Sequence, residues 1–215
     1  MACTDTPPND LADDLAARVA ARVCHDIMSP VSAIKAGLSF LGEAETPQAR
    51  ADARELLGAG LRALEERMAY CRVALGRGEA GQETDSLAAL AATQFADLRP
   101  TLDWAVTSPT LPGTAARAAL HLVIILGEAL ASGGEARLTG GSAPGATVIR
   151  AEGVGPRVRL HEETRAGLLG APCPEGPGGR WAFAAFLRSQ VESAGGKIDL
   201  EASEERLWIA LSLPS

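Results

Sequence analysis

The chain has little with which to cross-link itself or to hold a metal. Its four cysteines, Cys3, Cys24, Cys71 and Cys173, include no CxxC pair and no metal-ligand spacing, the usage expected of reduced thiols in a cytosol. Long apolar runs are missing too: Leu120–Leu126 is soon interrupted by Glu128, so no segment is expected to span a bilayer. Dense basic clusters are absent, and a net charge of -7 with a pI near 5.1 argues against nucleic acid or an anionic membrane as the main partner. The N-terminus, with Asp5, Pro7, Pro8 and Asp10, lacks the basic and apolar regions of a signal peptide. A cytoplasmic protein is expected. What the chain does have is apolar content: 47% of its 215 residues are hydrophobic, enough to bury the core of one domain or two small ones.

Two halves differ in periodicity. In the first, Asn9 or Asp10 is placed to cap a helix whose apolar positions are Leu15, Val19, Val23, Ile27, Val31, Ile34, Leu38 and Leu41, a stripe expected to be buried. A turn at 42–45 leads to Thr46-Pro47, an N-cap and a first-turn proline for a second helix. Along it Leu57, Leu61, Leu64, Met68, Cys71 and Leu75 have the spacing of a coiled-coil seam, and Gly76 and Gly78 end it. These two helices predict an antiparallel hairpin of roughly thirty residues per arm, too thin to bury both stripes by itself. A second copy would complete a four-helix bundle, so a homodimer is expected.

After a linker rich in Gly, Glu and Gln the pattern mixes helices and strands. Helices are expected around 87–98, 114–130, 162–169 and 181–193, and strands around 102–106, 135–139, 147–151, 197–201 and 207–213. Residues 170–179, with their glycines and prolines, read as a loop. This order predicts an α/β sandwich with helices on one sheet face. The fold class is therefore α+β, with a flexible N-terminus at 1–9, a helical hairpin at 10–78, a linker at 79–85 and a second domain at 86–215.

Among three histidines, His25 has the most informative surroundings, Cys24-His25-Asp26-Ile27-Met28-Ser29-Pro30. It lies roughly 170° around the helix from the apolar stripe, so its imidazole is expected to face outward. Its own face carries Arg18, Ala21, Arg22, Ser29, Ser32 and Ala36: small side chains after the ring and arginines before it. Solvation of a helix surface is the ordinary role of a lone histidine, and the motif argues otherwise.

The run His-Asp-Ile-x-Ser-Pro, followed by Val31, Ile34 and Leu38, resembles the H-box of two-component histidine kinases, in which a phosphoacceptor histidine precedes an acid and a proline. The second half is similar to the kinase catalytic domain in its order of elements, in the segment Val191–Ile198 and in the terminal strand Leu207–Pro214. The resemblance covers 10–214. ATP chemistry in that family needs an asparagine on the central helix to hold magnesium, and the matching stretch His121–Glu128 has none. The Asp-x-Gly-x-Gly box that reads adenine is replaced by Ala151-Glu152-Gly153-Val154-Gly155, and Ala151 cannot accept the adenine hydrogen bond. Gly176-Pro177-Gly178-Gly179 keeps the glycines of a phosphate loop, though glycines equally serve turns. A nucleotide site without these partners would lose on the order of several kcal/mol of binding.

A phosphoacceptor hairpin joined to a degenerate kinase-like domain is similar to the ChpT-type histidine phosphotransferases of alphaproteobacteria. That resemblance implies that His25 takes a phosphoryl group from the receiver domain of a hybrid histidine kinase and passes it to the aspartate of response regulators, without ATP. It implies no cofactor on this chain, the Mg2+ being brought by the receiver. The alternatives are a divergent ATP-dependent histidine kinase and a non-catalytic dimeric adaptor that sequesters response regulators.

Other residues carry two readings each. Asp26 either orients the ring of His25 or is solvated surface. Arg22 either meets the phosphoryl group or an acidic receiver, or pairs with Asp26 along the helix. Arg18 reads best as a pair with Asp14. Ser29, Ser32 and Lys35 are candidate docking residues, with simple exposure the other reading. Cys24 and Cys71 are expected to pack, His121 to be structural, and His161 to lie on the surface. Glu128 is the best remaining acid of the nucleotide pocket.

Overall fold

A computed structural model describes residues 8–176 and 178–214, so most of the expected tail at 1–9 and Pro177 of the glycine loop lie outside the described residues. Residues 20–72 form one compact unit; the other comprises everything from Val73 onward with the segment ending at Val19.

The first unit holds most of α1 (Pro8–Glu43) and α2 (Pro47–Ala74). The described part of α1 begins at Pro8, and Asn9 and Asp10 are already helical. It continues through Pro30, which has no N–H to give the Asp26 carbonyl four residues back. Thr46 caps α2 as expected, its Oγ1 accepting from the Ala49 N–H at 3.1 Å and its carbonyl from the Arg50 N–H at 3.1 Å.

Small residues bring the two arms together. A Cβ on Gly37 would lie 2.8 Å from Leu57 Cγ and 3.2 Å from the Ala53 carbonyl; one on Gly60 would lie 2.9 Å from Ile34 Cγ1 and 3.2 Å from the Pro30 carbonyl. Ala53 is buried beside them. The single hairpin leaves both stripes partly uncovered, as expected of two arms too thin to bury them. Leu38 on α1, and Leu61 and Met68 on α2, are each more than half exposed, and the rest of both stripes is only half-buried. At the contact the glycines make room for Leu57 and Ile34, and two arms alone give the remaining large side chains little cover.

The second unit is built on a five-stranded sheet of β2 (Thr101–Val106), β4 (Glu135–Ala143), β5 (Ala146–Val154), β6 (Lys197–Ala202) and β7 (Arg206–Pro214), in the order β2-β4-β5-β7-β6. Only β2 and β4 pair in parallel. Alternation sets the two faces: Ala136 and Leu138, Ile149 and Ala151, Leu207, Ile209, Leu211 and Leu213 point into the core. The opposite face carries charge, with Asp103 paired to Arg137 at 3.2 Å and Glu152 to Arg206 at 2.7 Å.

Helix α4 (Gly113–Ala129) is apolar around nearly its whole circumference because it is enclosed, lying on β4, β5 and β7 with α3 (Thr84–Phe95) and α6 (Gly179–Ser193) beside it. Helix α5 (Glu162–Leu169) packs on α6 and ends at Gly170, whose φ of 71° closes the helix in the left-handed region. Helices thus cover one sheet face, the α+β arrangement expected.

The linker is the main departure. Inside it, β1 (Gln82–Glu83) pairs with β3 (Thr110–Leu111), and α3 begins at Thr84. Arg117 of α4 fastens the segment by donating to the Gly78 carbonyl at 2.5 Å, while also reaching Gln190 of α6 at 3.0 Å. Leu98, expected inside a helix, lies beyond α3 and is exposed.

Candidate functional site

Helical spacing brings Arg22, His25 and Asp26 onto one side of α1, since Arg22 stands one turn before the other two. The ring of His25 is 85% exposed, and its Nδ1 lies 3.2 Å from Asp26 Oδ1. A carboxylate can only accept, so the neutral ring carries its proton on Nδ1 and leaves a lone pair on Nε2, the nitrogen that projects away from the backbone. Asp26 is far less exposed than the ring it serves, at 17%. Arg22 Nε donates to both of its oxygens at 3.1 Å. The pair of Arg22 with Asp26 along the helix, one of the two readings of this residue, is thus present. Asp26 also faces α2: burial pushes the Cys71 thiol up, Arg67 pulls it back and Asp26 adds to the rise.

The other candidates surround this group without joining it. Ser29 and Lys35 are exposed, and Ser32 is exposed with its hydroxyl donating to the Met28 carbonyl at 2.8 Å. Cys24, expected to pack, is exposed beside His25, because the residue before an outward-facing histidine also falls toward the polar side of this helix. Arg18 pairs with Asp14 at 2.8 Å, as read from the sequence. The same guanidinium reaches Cys173 Sγ at 3.7 Å, across 155 residues, a contact no local pattern announces.

The residues that the kinase resemblance aligns with a nucleotide pocket are paired or buried. Glu128 lies 3.1 Å from Arg180 Nε at the start of α6. Ala151 is fully buried in β5, and Glu152 is taken by Arg206. His161, expected on the surface, is half-buried before α5; desolvation chiefly, and then Arg180, hold its imidazole below the ordinary range. His121 is buried in α4 and its Nε2–H donates to the Ala74 carbonyl at 3.1 Å, with the rings of Phe183 and Phe186 each 5.6 Å away. Burial pushes its pKa down to about 4, with Arg117 acting in the same direction and the Ala74 bond opposing. His121 Nδ1 is buried and has no hydrogen-bond partner among the described residues. Among the described residues no group of three or more His, Cys, Asp or Glu could hold a metal ion, and no helix is long and apolar enough to cross a membrane.

A family model for the histidine phosphotransferase C-terminal domain matches residues 84–206, from the first residue of α3 to the first of β7. Over 145 residues, 65% of this chain and 68% of the relative, the sequence is 32% identical to the protein phosphotransferase ChpT of Brucella abortus (strain 2308). The chain belongs to the ChpT-type histidine phosphotransferases. The solved structure of a bacterial phosphotransferase, 26% identical, superposes on this histidine phosphotransferase with a TM-score of 0.78, covering 93% of this chain and 96% of that one. The family model matches the unit that holds the sheet and does not include His25.

Proposed function

We propose that this histidine phosphotransferase works as a relay through His25, which accepts a phosphoryl group from the receiver-domain aspartate of a hybrid histidine kinase and delivers it to the aspartates of response regulators. The observation that carries the reading is an imidazole 85% exposed on a helix, hydrogen-bonded through Nδ1 to a carboxylate, with Nε2 open to a partner. In the forward step the Nε2 lone pair forms a bond to phosphorus. The phosphorus–oxygen bond of the aspartyl phosphate breaks, and its electron pair returns to the receiver carboxylate. The ring keeps its Nδ1 proton, becomes cationic and faces Asp26 while it carries the phosphoryl group; onward transfer reverses these changes and restores the neutral ring.

The reaction needs in-line positioning and neutralisation of phosphoryl charge. The chemistry of a receiver's acidic pocket suits Mg2+, so the metal is the receiver's to supply. ATP plays no part in this scheme. Support comes from Ala151, which offers no acceptor, from Glu128, which is paired with Arg180, and from His121, which is turned to the Ala74 carbonyl.

The working form is a homodimer, with a four-helix bundle made from two hairpins, acting in the cytoplasm. Met28, Leu38, Phe40, Leu61 and Met68 are each more than half exposed on the hairpin, and a groove of about 630 Å³ beside its turn, lined in part by Phe40, Ala53 and Leu56, gives a second copy apolar surface to cover.

Incubation with labelled ATP, and separately with a phosphorylated receiver domain, tests the scheme. Label is expected only from the receiver, and His25→Ala is expected to take none while keeping its helicity. Label from ATP alone would establish the kinase reading instead, and no label from any receiver would leave an adaptor.

A further inference from the structure

On an exposed helix face an aspartate has several rotamers, and only some bring an oxygen to the next residue's ring. Here Arg22 makes the selection. Its Nε donates to Oδ1 and Oδ2 at 3.1 Å each, and Oδ1 is the atom 3.2 Å from His25 Nδ1. The arginine and the carboxylate are mostly withdrawn from water, at 22% and 17% side-chain exposure, whereas the ring is not. A pair so placed is screened less than one on open surface.

We propose that Arg22 is a positioning residue for phosphotransfer, acting through Asp26 to keep His25 in the tautomer whose Nε2 is unprotonated. The inference rests on His25 being the phosphoacceptor. A neutral imidazole otherwise divides between two tautomers, and the one with its proton on Nε2 has no lone pair to offer phosphorus there. Asp26 stabilises the competent tautomer before transfer and faces the positive charge that develops on the ring during it. Arg22 reaches the ring through Asp26, whose Oδ1 both groups share. Its contribution is to hold the carboxylate in place, which separates this role from direct neutralisation of the phosphoryl group. Lysine at the same position could supply the charge without the planar donor that spans both oxygens.

Nitrogen-15 spectra of the imidazole side chains of the full chain test this without any transfer, with His25→Ala assigning the signal. In the native chain His25 is expected in the Nδ1–H form. Arg22→Ala should move its tautomer ratio toward Nε2–H by about tenfold, the effect of losing one charge-assisted hydrogen bond. Arg22→Lys should recover part of the shift. With a receiver domain phosphorylated by acetyl phosphate as donor, Arg22→Ala should slow transfer at saturating receiver by a similar factor and leave receiver affinity unchanged. Circular dichroism checks folding, and Arg22→Gln serves if the alanine variant does not fold. An unchanged tautomer, or a defect lying wholly in receiver affinity, in a chain that still transfers would overturn this proposal alone. A native chain that takes no phosphoryl group would overturn it together with the phosphoacceptor reading.

Discussion

Acidification should weaken the sheet-bearing unit through one buried histidine. His121 is neutral in the folded chain because burial holds its pKa near 4, below the ordinary 6.5. Below 6.5 the unfolded chain takes up a proton on this residue that the folded chain refuses, so stability falls as pH falls. The contribution is fully present above pH 6.5 and lost progressively toward pH 4. At about 1.36 kcal/mol per pH unit the whole interval amounts to about 3 kcal/mol, of which about 2 kcal/mol is gone by pH 5.

His121→Gln isolates this contribution. The amide can still donate to the Ala74 carbonyl, which the imidazole reaches at 3.1 Å, and it does not titrate. Urea unfolding followed by tryptophan fluorescence reports on this unit, since Trp104, Trp181 and Trp208 all lie in it. Between pH 7 and pH 5 the native chain should lose about 2 kcal/mol more than the variant. Partial burial of His161 acts in the same direction in both chains and cancels in the comparison. Parallel pH profiles would refute the argument, and a native chain that gained stability relative to the variant on acidification would reverse its sign.

Gly60→Val should destabilise the hairpin by about 2 kcal/mol, because a branched side chain cannot fit where Ile34 N and the Pro30 carbonyl would already lie 3.1 and 3.2 Å from a Cβ. A melting curve by circular dichroism checks it, and a higher melting temperature, as helix propensity alone predicts, would show that the arms do not approach so closely. Met68→Glu should shift sedimentation toward a monomer without unfolding the sheet-bearing unit; an unchanged oligomeric state would remove Met68 from the proposed interface.

Much of this architecture was legible because its signals are local. The uninterrupted apolar character of Leu120–Leu126 announced an enclosed helix, and alternation along Leu207–Leu213 announced a strand with one buried face. Thr46-Pro47 announced a cap that the structure makes with an ordinary side-chain bond. What stayed hidden depends on partners far along the chain. Strand β1 looks like a polar linker because its ladder is completed only by Thr110 and Leu111, and Gly78 is held by an arginine on another element. Leu61 and Met68 satisfied a heptad pattern that states how apolar positions repeat, not which neighbour covers them. At the candidate site, the outward direction of His25 followed from helix geometry, whereas the two-oxygen contact of Arg22 with Asp26 turned on a rotamer, which spacing does not specify. The pairing of Glu128 with Arg180 likewise joins residues distant in sequence and had no local signature.

The glycine contacts at Gly37 and Gly60 also bear on how the helix carrying His25 is held folded. Glycine and alanine at the line of contact contribute little apolar area of their own, and Ile34 and Leu57 are the large side chains seated against them. Other large side chains, Met28, Leu38, Phe40, Leu61 and Met68, are turned to surface that the hairpin does not cover. With a second copy as the cover, folding of this segment and its association become a single equilibrium, and the amount of protein present helps set the order of the helix that presents the imidazole. Dilution would then act as a lever on relay competence, independently of any change at His25, Asp26 or Arg22.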